Sequence, residues 1–296
     1  MCAWAQGFVV KGASTVGLTG QISLYIYDQG ANPRQLKSDV TNGAFSFSGS
    51  VKGTVYAELS STSLPNTIPL FLENSEITVT INNKAYPRIT GSRANSSYRY
   101  ALEMCDGEDN RESCLLNFVR DNPNSPVAPY IIVNHLMSLP FEQLGDLCDM
   151  LAGPAVNAYH YRQLKEMLGS MAATREGSRL PDFLIPTASG EYIHFDSIQK
   201  DSTYVLLLLG ATWCAGSQSW EQTINGTIKN YKDIQLVSTL IDKDERQWDS
   251  PLMKTLAISH IPFVILIDPQ GRTLARDVRV WELDRVLKQF KVPYKK

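Results

Sequence analysis

The chain has 296 residues, of which 43% are apolar and 20% charged, and its formal net charge is −2. That length suits about two domains, and the composition excludes a disordered or collagen-like chain. The absence of any concentrated basic segment argues against a nucleic-acid partner, and no apolar run approaches the roughly 18 residues of a membrane-spanning helix.

The chain opens Met1-Cys2-Ala3-Trp4-Ala5-Gln6. Ala3-Trp4-Ala5 has the small-x-small form of a signal-peptidase site, which would make Gln6 the first mature residue. A second reading makes Cys2 the lipid-bearing cysteine of an envelope lipoprotein. Both predict an exported protein, periplasmic or anchored in the envelope.

Residues 6–94 read as a β domain. QISLYIYD alternates, Asn42-Gly43 is a hairpin signal ahead of the alternating AFSFSGSV, and VYAEL and EITVTI follow at short spacing. Short strands with polar breaks predict an antiparallel β-sandwich. Residues 95–175 change period. SSYRYALEMC, ESCLLNFVRDN, VAPYIIVNHLM, FEQLGDLCDMLA and AVNAYHYRQLKEML carry apolar residues at helical spacing, punctuated by Pro123, Pro126, Pro140 and Pro154. This is a helical connector. Residues 176–296 alternate strand and helix. DFLIPTASGEYIHF is a hairpin turning at Ser189-Gly190, and TYVLLLLGA is a strand buried on both faces. SQSWEQTINGTIKNY is a helix, IQLVSTLID another buried strand and PLMKTLAISH a short helix. FVILID and RTLARDV are strands, and WELDRVLKQF is a closing amphipathic helix. The fold class is therefore multi-domain α/β, with a mixed central sheet in the C-terminal domain.

The cysteines are Cys2, Cys105, Cys114, Cys148 and Cys214, too sparse for a disulfide scaffold and without a CxxC pair for zinc. Cys105 and Cys114 flank DGEDNRES; they either close a small loop in an oxidising compartment or remain two half-buried thiols. Cys148 sits in an apolar helical pattern and reads as core. His135, His160, His194 and His260 are scattered and show no metal spacing; His260, directly before Ile261-Pro262, either lies near Cys214 or, as the better reading, is a surface-loop histidine. Asp242 to Arg246, DKDER, reads as a solvated loop and not a cation site. Neither a metal nor an organic cofactor is implied.

The chemistry concentrates in Trp213-Cys214-Ala215-Gly216-Ser217. An apolar strand ends at Gly210 and a helix begins near Cys214. A thiol at a helix N-terminus faces the positive end of the dipole and free backbone N–H groups, which favour a thiolate. Ile261-Pro262, ahead of FVILID, is a candidate cis peptide bond. A peroxidase of the peroxiredoxin kind would need Thr and Pro three and seven positions before the cysteine; Ala211 and Leu207 stand there.

With DFLIPTASGEYIHF, Trp213-Cys214 and IPFVILIDPQGRTLARD in this order, residues from about 176 onward resemble the thioredoxin-like thiol-disulfide oxidoreductase family of the TlpA/ResA type. Residues 6–100, with GAFSFSGSV and PLFLENSEITVTI, resemble the uncharacterised β domain fused ahead of such domains in bacterial envelope proteins, and FVRDNPNSPVAPYII resembles that fusion's connector. The resemblance implies a thioredoxin fold, Cys214 as nucleophile, and Trp213, Ile261 and Pro262 as the substrate-binding surface. It also departs from the pattern. Ser217 replaces the second cysteine, Gln218 a basic residue and Gln222 a helix proline, and the stretch between Asp242 and Ile261 is short. A serine can hydrogen-bond a thiolate but cannot displace sulfur, so the fast intramolecular step of a dithiol is lost. Two readings follow. One is a monothiol CxxS site, with Cys214 and Ser217 catalytic, exchanging with protein thiols or disulfides through mixed disulfides. The other is a non-catalytic module that keeps the fold to bind a peptide partner.

Overall fold

A computed structural model describes residues 7–15, 17–28, 32–64, 66–82, 87–108, 110–186, 191–199, 202–240, 251–258 and 260–295. The expectations for residues 1–6, for the Ser189-Gly190 turn and for Asp242–Arg246 lie outside these. The chain divides into two compact units, Met1–Glu166 and Met167–Lys296. Among the described residues no helix is long and apolar enough to cross a membrane.

The first unit begins with eight strands: β1 (Phe8–Ser14), β2 (Gln21–Ile26), β3 (Arg34–Asp39), β4 (Ala44–Gly49), β5 (Val55–Ser60), β6 (Ile68–Leu72), β7 (Glu76–Ile81) and β8 (Arg88–Thr90). They form two four-stranded sheets, ordered β4-β1-β7-β8 and β3-β2-β5-β6. Alternating inward residues from both sheets, among them Phe8, Val10, Leu24, Phe47, Leu59, Leu70 and Ile77, build one shared core, which makes this a sandwich. The pairing is antiparallel except for β1 and β7, which run parallel. The Asn42-Gly43 turn forms with φ +52° and +77°, both positive as a type I′ turn requires. It does not close a ladder. Only Thr41 and Ala44 bridge, after which β3 pairs with β2 and β4 with β1. Both become edge strands, of different sheets: the apolar face of AFSFSG puts Phe45 and Phe47 of β4 into the core, whereas polar RQLKSD of β3 has no fully buried residue.

Helices follow: α1 (Arg93–Met104), α2 (Arg111–Asp121), α3 (Ala128–His135), α4 (Phe141–Met150) and α5 (Tyr159–Thr174), with a 3-10 turn over Gly153–Asn157. The unit boundary falls within α5. Cys105 and Cys114 are joined in a disulfide, and Cys148 is buried. Tyr98, Tyr130, Tyr159 and His160 from the helices meet Tyr56 and Phe71 of β5 and β6 in a chain of mostly edge-on rings, with Tyr159 stacked on Tyr56.

The second unit contains the hairpin β9 (Leu184–Pro186) and β10 (Tyr192–His194), then α6 (Phe195–Ile198), β11 (Tyr204–Gly210), α7 (Ala215–Ile228), β12 (Ile234–Leu240), α8 (Pro251–Thr255), β13 (Phe263–Ile267), β14 (Thr273–Arg276) and α9 (Leu283–Gln289). Its sheet runs β12-β11-β13-β14. β11 is parallel to β12 and antiparallel to β13, and β13 is antiparallel to β14. This mixed sheet, with a β-α-β unit followed by a β-hairpin and helix, is the thioredoxin topology. β11 and β13 are central and buried throughout beyond Tyr204. Leu207, Leu209, Phe263 and Ile265 face α8 on one side; Leu206, Leu208, Val264 and Leu266 face Ile224 of α7 and Leu283 and Leu287 of α9 on the other. The expectation that IQLVSTLID is another buried strand is corrected: β12 is an edge strand and mostly half-exposed, because it has a sheet neighbour on one side only.

Candidate functional site

The site forms where β11 ends. After Gly210 the backbone makes a tight turn in which the Cys214 N–H donates to the Ala211 carbonyl at 3.1 Å and the Ser217 N–H donates to the Cys214 carbonyl at 3.0 Å. Cys214 is therefore the N-cap of α7, in extended conformation with φ −90° and ψ 101°. Its thiol is half-buried. Trp213, Cys214 and Ile261 border the same apolar cluster beneath the sheet's end.

The Ile261–Pro262 bond is cis, and Pro262 comes against the first turn of α7. A β-carbon placed on Gly216 would lie 3.6 Å from Pro262 Cδ and 3.7 Å from Cys214 Sγ. Sulfur and pyrrolidine ring thus border one small space, which a side chain at position 216 would occupy. Strand pairing explains the convergence: Phe263, just after Pro262, opposes Leu209 just before the turn.

Ser217 is buried. Its Oγ accepts the Ala211 N–H at 3.3 Å, and it packs so closely on Gly210 that a β-carbon there would lie 2.7 Å from Ser217 Cβ. The hydroxyl therefore helps to hold the strand–helix turn together. Trp213, Cys214, Ile261 and Pro262 are brought together at one end of the sheet, and Ser217 lies behind them.

Two further features lie at this end. Leu240, half-exposed, pairs with Gly210 across the parallel ladder and adds apolar surface beside the turn. His260 is hydrogen-bonded to Asp277, which in turn pairs with Arg279. His260 is signalled by its place directly before Ile261-Pro262, whereas Leu240 and the partner Asp277 come from register and topology. Among the described residues no three His, Cys, Asp or Glu side chains gather as metal ligands.

A family model described as a domain of unknown function, DUF4369, matches residues 8–98. No curated protein matches the chain. Among solved structures, the thioredoxin domain of a thiol-disulfide oxidoreductase from Bacteroides vulgatus is similar at 18% identity and TM-score 0.33, covering 39% of this chain and 97% of that one. A thiol-disulfide oxidoreductase from Bacteroides fragilis NCTC 9343 is similar at 24% identity and TM-score 0.33, covering 38% of this chain and 99% of that one. A thiol:disulfide interchange protein from a Bacteroides species is similar at 18% identity and TM-score 0.33, covering 40% and 91%.

Proposed function

We propose that the C-terminal unit is a thioredoxin-like monothiol module that exchanges thiols and disulfides through mixed disulfides on Cys214. The observation that carries this reading is the meeting of a half-exposed thiol at a helix N-terminus with the Pro262 ring across Gly216. Helix N-terminal N–H groups and dipole favour developing negative charge on sulfur. An extended disulfide-bearing segment would lie along Ile261 and Pro262, with Trp213 and Leu240 covering the sulfur's apolar flanks. Ser217 supports the geometry of the turn, and the second half of the cycle falls to an external thiol. The TlpA/ResA-type likeness of the motifs fits this assignment.

We further propose that the protein works outside the cytoplasm. The disulfide between Cys105 and Cys114 supports an oxidising compartment, consistent with the signal-peptidase-like or lipoprotein-like N-terminus. Residues 6–94 and 95–175 would form the envelope-side β domain and its helical connector, and 176–296 the exchange domain.

The test is turnover of a peptide–glutathione mixed disulfide by glutathione, with wild type against Cys214→Ala. Wild type should accelerate release of the peptide thiol, and mass spectrometry should find glutathione on Cys214. Equal rates for the two proteins, with no adduct, would assign the surface to peptide binding without chemistry.

A further inference from the structure

The loop that presents Pro262 also carries His260, and that imidazole is held by a carboxylate. His260 Nε2 lies 3.0 Å from Asp277 Oδ1, and Arg279 Nη2 donates to Asp277 Oδ2 at 2.9 Å. Asp277 has φ +52°, a left-handed conformation that aspartate tolerates better than most residues but that still needs its surroundings to hold it. β14 returns antiparallel to β13, and the Val278 N–H donates to the Val264 carbonyl at 3.1 Å. Asp277 therefore sits beside the start of β13, at the end of the sheet where β11 delivers Cys214. The His260 ring packs edge-on to Phe263 at 5.2 Å, and the Arg276 guanidinium lies 5.3 Å from the same ring. Among the described residues, the charged groups near the imidazole include Asp277, Arg276 and, through Asp277, Arg279. The His260 side chain remains 39% exposed, open to a bound disulfide.

Cys214 and the carboxylate-held imidazole of His260 stand at the same end of the sheet, and a nucleophile, an imidazole and a carboxylate that orients it are the parts of a proton-transfer system. We propose that His260, oriented by Asp277, is the proton-transfer residue for exchange at Cys214; this rests on the exchange reading above. In the first step the Cys214 thiolate attacks the glutathione sulfur of a peptide–glutathione disulfide. The new S–S bond forms, the old one breaks, and its electron pair leaves on the peptide sulfur. The His260 imidazolium gives that thiolate a proton, yielding peptide thiol and neutral imidazole. In the second step glutathione, a low-molecular-weight thiol, gives its proton to the imidazole. Its thiolate then attacks the Cys214 mixed disulfide, releasing glutathione disulfide and restoring the Cys214 thiolate. The sum is peptide mixed disulfide plus glutathione giving peptide thiol plus glutathione disulfide, with His260 unchanged. Asp277 fixes the orientation of the His260 ring through Nε2.

His260→Gln is the decisive variant, because its amide can still donate to Asp277 but cannot titrate. Two substrates separate proton transfer from structure. An alkyl-thiol leaving group needs a proton, whereas a nitrothiophenol leaving group departs as a stable thiolate. With the alkyl substrate the variant should lose roughly tenfold or more in rate, and the dependence on pH near neutrality should flatten. Both substrates are followed in single turnover without free glutathione, so that only the first step is read; with the nitrothiophenyl substrate the variant should retain a rate close to wild type. Asp277→Asn should shift the alkyl-substrate rate in the same direction, and it carries the test should His260→Gln fail to fold. Equal losses on both substrates, or no loss on either, would overturn the proposal while leaving Cys214-dependent exchange standing. A wild type no faster than Cys214→Ala on either substrate would overturn the exchange reading and this one with it.

Discussion

Two free thiols have opposite fates at the residue scale. Cys148 lies in the interior of the helical layer, where burial pushes its thiol up from the ordinary value and withholds it from reagents. Cys214, half-exposed at the N-cap of α7, is accessible. Iodoacetamide applied to the native protein should therefore label Cys214 before Cys148, and peptide mapping should find Cys148 labelled only after unfolding; the reverse order would contradict the burial of the two thiols. His160 supplies a pH dependence. It is wedged edge-on between Tyr56, Tyr130 and Tyr159, with no charged ring partner. Burial pulls its pKa down to about 3, against an ordinary value of about 6.5. The unfolded chain then binds the extra proton between those two values, so stability is full above about pH 6.5 and falls as pH drops toward 3. The loss at pH 4 should be on the order of a few kcal/mol. Urea melts at pH 7 and pH 4 should show it in wild type, and His160→Phe, which retains a ring, should flatten the difference. An unchanged difference in His160→Phe would remove His160 as its source.

Between elements, the most informative contact is the one that closes the free edge of β6. Asn95, buried in the first turn of α1, accepts the Phe71 N–H at 2.9 Å and donates to the Phe71 carbonyl at 2.7 Å. Its amide imitates a neighbouring strand, so the helix both covers and terminates the sheet. Ser92 adds a donor to the same carbonyl and caps α1 through the Asn95 N–H. Asn95→Leu would leave the buried Phe71 N–H without a partner and its carbonyl with the Ser92 hydroxyl alone, and should cost about 1–3 kcal/mol by denaturant melting. A loss below about 0.5 kcal/mol would show that water or a shifted backbone replaces the amide. Gly12 makes a different kind of contact: a β-carbon there would lie 1.9 Å from Phe45 Cζ, across the β1–β4 pairing. Gly12→Ala should force the Phe45 ring from the core at a cost of about 1–3 kcal/mol. Neither contact could be read from local pattern. The Asn42-Gly43 turn was legible because positive φ at both central residues is a property of the residues themselves. Where its two strands go afterwards was not, since that depends on which face of each strand finds the core. Polar RQLKSD shows no alternation, and it becomes a strand only because β2 offers it a ladder.

The whole molecule is two compact units with separate cores, and the same contrast between local and distant signals runs through the site. Cys214 and Gly216 were legible from a strand–turn–helix pattern, and Pro262 from its place before an apolar strand. Leu240 and Asp277, the partner of His260, were not, because the parallel register of β12 and the antiparallel return of β14 bring them in from distant positions. Ser217 was legible as a missing thiol, while its bond to Ala211 depends on how the turn closes. The division into units has a consequence for stability. The disulfide lies wholly within the first unit, linking residues nine apart in sequence at the junction of α1 and α2. By constraining the unfolded chain, a loop this short contributes about 2–3 kcal/mol, and this acts only on the unit that contains it. Denaturant unfolding should therefore be biphasic, and replacing both Cys105 and Cys114 by Ser should lower the midpoint of one phase and leave the other in place. Of the five tryptophans, Trp4 falls in the first unit and Trp213, Trp220, Trp248 and Trp281 in the second, so in a Trp4→Phe background tryptophan fluorescence assigns the phase that stays. If the double variant moved the tryptophan-reported phase as far as the other, the two cores would unfold as one, and the division drawn at Glu166 would not be a thermodynamic one.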